Sequence, residues 1–104
     1  MEYTPLPKEG KIICYPNPFC LSERQGCTIA GISLEARNVR VSIYNIAGEL
    51  VREFEGDEMK NGVDSQFVIW DGQNQSHCPV ASGIYIYLIR GDEGCVKGKI
   101  GVVR

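Results

Sequence analysis

Along most of this chain hydrophobic residues recur at every second position rather than every third or fourth. That is the period of a β-strand with one face on a core. NVRVSIYN shows it best: Val39, Val41 and Ile43 share one face, and Arg40, Ser42 and Tyr44 share the other. Runs of this kind, separated by Gly, Asn, Asp and Pro, predict strands at 10–15, 27–34, 38–45, 49–54, 65–70, 83–90 and 94–103. Seven short strands with turn residues between them predict an all-β, seven-stranded antiparallel sandwich. No segment has the helical period, and no stretch repeats. The polar segment 1–9, with two prolines, predicts a linker, which leaves 10–104 as one sandwich domain. Met1 is expected to start a piece cut from a longer protein.

The irregular stretches sharpen this. In CTIAGISL, Ile29 is out of phase with Ile32 and Leu34, so a bulge is expected near Gly31. YPNPF holds two prolines that fix φ and remove donors, a rigid lead-in to an edge strand with Phe19 plugging one end of the sandwich. Trp70 is the expected core anchor, and Asp71-Gly72 starts a turn. Either Tyr85 or Tyr87 is expected to bond nearby backbone, as a corner tyrosine does. SQFVIW and GIYIYLI are apolar on both faces, although one face of each strand in a small sandwich should be wet.

Composition excludes several classes. In 104 residues, 43% are hydrophobic and 23% charged, with a net charge of −2. That is ordinary globular usage without a basic patch, so nucleic acid is not an expected partner. No apolar run is long enough for membrane insertion, and the start lacks a signal-peptide pattern. Five cysteines, at 14, 20, 27, 78 and 95, form no CxxC, so neither zinc nor any other metal is expected. Cys20 and Cys27 are the best local disulfide candidate, with buried free thiols as the alternative. His77 and Cys78 are adjacent in an extended loop and point apart, which disfavours a catalytic dyad. Asp57, Glu58, Asp71 and Asn74 could offer oxygens to calcium, but turn chemistry explains them better. No phosphate-cradling loop and no aligned row of exposed aromatics is present. The expectation is a protein that is not an enzyme and needs no cofactor.

Taken in order, CYPNPF (14–19), VRVSIYNIAGELVREF (39–54), WDGQNQSHCPVASGIYIYLI (70–89) and KGKIGVVR (97–104) carry a resemblance. They resemble the immunoglobulin-like domain of flagellar hook-capping proteins and, more closely, the type A C-terminal sorting domains of the type IX secretion pathway. The resemblance implies an immunoglobulin/fibronectin-III-like sandwich. It also implies a non-enzymatic sorting and attachment role in a secreted or cell-surface bacterial protein, with outer-membrane secretion machinery as the partner. Its implied recognition residues are Lys97, Lys99, Ile100, Val102, Val103 and Arg104, with Gly83 and Tyr85 on the partner strand, and cleavage would fall in segment 1–11. Two departures stand out. CLSERQGC replaces a shorter run, and His77 stands where the family usually has glycine, a position histidine tolerates in the left-handed region.

The resemblance also turns Tyr85, Tyr87 and Ile89 inward. Ile84, Ile86 and Leu88 then face out, between Ser42 and Tyr44 on one neighbouring strand and Lys97 and Lys99 on the other. This apolar stripe, with Tyr44, reads as a contact surface for a protein partner or for an oligomer of the chain itself. Phe67 and Ile69 form a smaller analogue on the other sheet. The alternatives to sorting are a structural assembly module and an accessory sandwich of a secreted enzyme.

Overall fold

The computed structural model describes residues 12–23, 26–92 and 94–104. Segment 1–11, which holds the expected linker (1–9) and cleavage region (1–11), lies outside the described residues. Among those described, nine strands form two sheets: β1 (Ile13–Tyr15), β2 (Phe19–Cys20), β3 (Cys27–Ile32), β4 (Arg40–Tyr44), β5 (Leu50–Glu55), β6 (Lys60–Asn61), β7 (Gln66–Trp70), β8 (Gly83–Gly91) and β9 (Gly94–Val103). One sheet has the order β1-β3-β7-β6 and the other β2-β9-β8-β4-β5. The fold is all-β, as the period of two predicts.

Two short strands go beyond the expected seven, and one changes the pairing rule. β2 runs parallel to β9, pairing Phe19 with Val102 and Cys20 with Val103, so this sheet is not purely antiparallel. The cause lies in YPNPF. Pro16 and Pro18 cannot donate to a ladder, so the chain leaves β1 in one sheet and re-pairs as β2 in the other. Asn17 bridges the gap with its side chain. Its Nδ2 donates to Lys99 O at 3.0 Å, and its Oδ1 accepts from Gly101 N at 2.9 Å. A side-chain amide thus stands in for a strand peptide.

The core lies between the sheets and centres on Trp70, which packs edge-to-face with Phe19 (5.7 Å between centroids) and Tyr85 (5.5 Å). Ile29, Ile32, Val41, Ile43, Val68, Ile89 and Ile100 close around it, fully buried. Burying an aromatic of this size removes roughly 150–250 Å² from water, worth about 4–6 kcal/mol. The indole N–H donates to Gln73 O at 2.9 Å, so no polar group is stranded. Gly72 must be glycine: its φ is +81°, and a Cβ there would collide with Leu21 and crowd Phe19. The register of β3 on β7 shifts between Ala30 and Ile32, which is the bulge expected at Gly31. Leu34 falls beyond the strand and is exposed.

Two loops share one construction. In Asn45–Glu49 and in Asn74–Cys78 the first asparagine's Oδ1 accepts from the N–H groups two and four residues on. Its backbone N–H also donates to the carbonyl of the fifth residue in both loops. The fourth residue is left-handed in each: Gly48 at φ +85° and His77 at φ +66°.

Candidate protein-contact surface

β8 and β9 pair from Gly83↔Val102 to Gly91↔Gly94, the longest ladder among the described residues. Pleating sends Tyr85, Tyr87 and Ile89 into the core and leaves Ile84, Ile86 and Leu88 on the outer face. Register then builds rows across four strands. One row reads Leu50, Tyr44, Ile86, Lys99; the next reads Glu53, Ser42, Leu88, Lys97; a third reads Glu55, Arg40, Arg90, Cys95. An apolar centre therefore lies between a basic column on β9 and an acidic column on β5. Leu50 is 54% and Ile84 49% exposed, while Ile86, Leu88 and Tyr44 are half-buried. Ser42, expected as an open outer residue, is instead fully buried. Its hydroxyl donates to Glu53 Oε2 at 2.9 Å, and Arg40 spans Glu55 at 3.0 Å and Glu53 at 3.9 Å.

The recognition residues implied by the resemblance fall into two groups. Lys97, Lys99, Val103 and Arg104 are exposed and open to a partner. Ile100, Val102 and Tyr85 are buried in the core, so a partner docked on the folded sheet does not touch them. Tyr85 serves the fold: its hydroxyl donates to Ala81 O at 2.8 Å, four residues upstream. Gly83, opposite Val102, has φ +152° and opens β8. The Arg104 backbone N–H is held by Ser82 Oγ at 2.9 Å.

Other candidate chemistry separates in space. Cys27 does not face Cys20. Cys20 lies in the five-stranded sheet, 3.0 Å from Ser22 Oγ, whereas Cys27 lies in the four-stranded sheet opposite Trp70. The neighbour of Cys27 is Cys14, with the sulfurs 2.9 Å apart, and all five cysteines are thiols. The hydrogen bond shared with Cys27 holds Cys14 below the ordinary thiol range, against the opposing effect of burial. The same bond, burial and the charge on Cys14 push Cys27 up. His77 and Cys78 are exposed in their loop, where Cys78 Sγ faces Ser76 O at 3.9 Å. Asp71 and Asn74 are spent on turns, and Glu58 receives the Glu55 N–H and Arg52. Among the described residues no three metal-ligating side chains converge, and no helix is long and apolar enough to cross a membrane.

Sequence reasoning missed Asn17, Leu50 and the Glu53–Arg40–Glu55 group. Asn17 was legible only as the residue between two prolines, with nothing local to name its partner 82 residues away. Leu50 enters the row through a register shift between Ile43 and Tyr44. The smaller stripe on the other sheet also grows. Register places Ile13 beside Ala30 and Phe67, and Tyr15 beside Thr28 and Ile69. Ile13 and Tyr15 are each about half exposed.

No protein-family profile matches the chain, and no curated protein matches it. Two solved structures share its fold. One is PorZ, an essential bacterial surface component of the type IX secretion system of Porphyromonas gingivalis. It aligns at a TM-score of 0.68 and 24% identity over 89% of this chain and 11% of that one. The other is dimeric latent PorU from the same organism, at a TM-score of 0.60 and 22% identity over 88% of this chain and 9% of that one. The chain thus spans only a small part of the length of either protein it matches.

Proposed function

We propose that this chain is a non-enzymatic, immunoglobulin-type sandwich carried by an exported bacterial protein and handled by type IX secretion machinery at the cell surface. β9 and the outer face of the five-stranded sheet are its contact surface. The observation that carries this reading is the fold likeness, over nearly the whole chain, to part of a type IX surface component. The strand order supports the immunoglobulin-type assignment. It corresponds to A-B-E-D against C′-C-F-G, with the first strand divided between the sheets, and the Tyr85–Ala81 bond is the corner tyrosine of such folds. The outer face supports a protein-binding role, since it sets exposed lysines beside a contiguous apolar row.

The test is a fusion. An export-competent reporter carrying this domain, produced in a type IX host, is expected at the cell surface or in the medium, while the reporter alone stays in the periplasm. Equal distribution of the two removes the sorting reading. The second reading is a structural assembly module, favoured by the apolar row Leu50–Tyr44–Ile86. It predicts concentration-dependent association of the isolated domain that Ile86→Lys abolishes.

A further inference from the structure

The thiol pair at Cys14 and Cys27 belongs to no role described so far. Cys14 sits in β1, the edge strand of its sheet, and pairs with Ile29; Cys27 is two residues before Ile29 on the adjacent strand, on the same inward face. The two are diagonal neighbours across one strand pair, and the twist of the sheet brings such side chains together. Their sulfurs are 2.9 Å apart, so reaching a bond length of about 2.05 Å needs less than an ångström of movement. The other three cysteines lie elsewhere: Cys20 by Ser22, Cys78 in the Asn74 loop and Cys95 opposite Arg90. We propose that Cys14 and Cys27 are an oxidation site, closed to a disulfide in an oxidising compartment so that β1 and the Pro-Asn-Pro crossover are tied to β3.

The two cysteines have distinct parts in the reaction. Cys14 is partly exposed at the sheet edge, and Cys27 is fully buried. Cys14 is therefore the thiol that an external disulfide reaches first, and its lowered pKa favours the attacking thiolate. The Cys14 thiolate attacks one sulfur of a donor disulfide, such as glutathione disulfide, and expels one donor thiolate. Cys27 then attacks the Cys14 sulfur and expels the second. Two cysteine thiols are oxidised and one donor disulfide is reduced to two thiols, which take up the two protons. The closed ring encloses residues 14–27, which hold β2 and Asn17, so the cross-link anchors the segment that clamps β9.

The test uses the whole chain and a variant with Cys20→Ser, Cys78→Ser and Cys95→Ser. Each is incubated with glutathione disulfide at pH 8. In the triple variant, thiol titration is expected to fall from two thiols to none, with a mass loss of two hydrogens. Its melting midpoint is expected to rise by about 10 °C or more, the scale for a ring of this length. Adding Cys14→Ser should abolish that rise. Peptide mapping of the oxidised wild-type chain should recover Cys14 joined to Cys27, which keeps the test decisive if the triple variant folds poorly. Two thiols persisting after oxidation, a mixed disulfide that never resolves, or mapping that joins Cys14 or Cys27 to another cysteine would each overturn the proposal.

Discussion

His77 occupies the left-handed position that Gly48 occupies in the matching loop, with φ +66°. A side chain there costs about 1–2 kcal/mol, part of which glycine gives back through a more flexible unfolded chain. His77→Gly is therefore expected to stabilise the domain by about 0.5 kcal/mol, and the β-branched His77→Val to destabilise it by about 1–2 kcal/mol. Urea titrations of the three proteins check the order; His77→Gly less stable than the parent would refute it. Tyr85 carries a separate prediction. Tyr85→Phe leaves the packing against Trp70 but removes the bond to Ala81 O, at an expected loss of about 1 kcal/mol. Tyr87 contributes to the response to alkali. Burial, and then negative charge on Cys14, raises its pKa, so above the unfolded value of about 10 the folded state holds a proton that the unfolded state releases. The stability it contributes is complete below that pH and is lost as pH rises through the folded value. Melting midpoints are expected to decline from about pH 9–10 upward, less steeply in Tyr87→Phe; parallel declines would contradict this.

At the scale of elements, the two sides of the five-stranded sheet are closed differently: β5 is the edge on one side, and on the other the long strand β9 is flanked by the two-residue edge strand β2. β5 is closed by neighbouring side chains and loop: Gln75 N–H donates to Val51 O at 2.9 Å, Gln75 Oε1 accepts from Glu53 N at 3.0 Å, and Glu58 accepts from Glu55 N at 3.2 Å. Those bonds leave little for an incoming strand to pair with. β9 is covered over Lys99–Val103 by Asn17 and β2. Asn17→Ala is expected to cost about 1–2 kcal/mol and to speed hydrogen exchange of the Gly101 amide selectively. Unchanged exchange at Gly101 would mean that β2 alone holds the edge. This contrast explains what was readable beforehand. Period-two alternation located seven strands, because it depends on neighbours in sequence. The misfit of Ile29 with Ile32 located the bulge for the same reason. The direction of Tyr85, Tyr87 and Ile89, in a strand apolar on both faces, came from the family resemblance instead. The parallel β2, the Asn17 clamp, the burial of Ser42 under Glu53 and the meeting of Cys14 with Cys27 depend on which strands lie side by side. A local pattern does not encode that.

For the whole molecule, folding and the proposed contact draw on different sides of the same strands. Ile100, Val102 and Tyr85 face inward and hold β9 in place, so their truncation reports on folding rather than on recognition. Lys97, Lys99, Ile84 and Ile86 face outward and can be altered with the core intact. The sharpest measurement is thus the cell-surface fraction of a reporter fused to the domain in a type IX host, wild type against the combined variant Ile86→Lys, Lys97→Glu, Lys99→Glu. Matched melting curves of the purified domains show that both fold. The account predicts at least a several-fold loss of surface reporter for the variant, with the missing protein folded in the periplasm. Equal surface delivery by the two folded domains would contradict the claim that this face is what the machinery contacts.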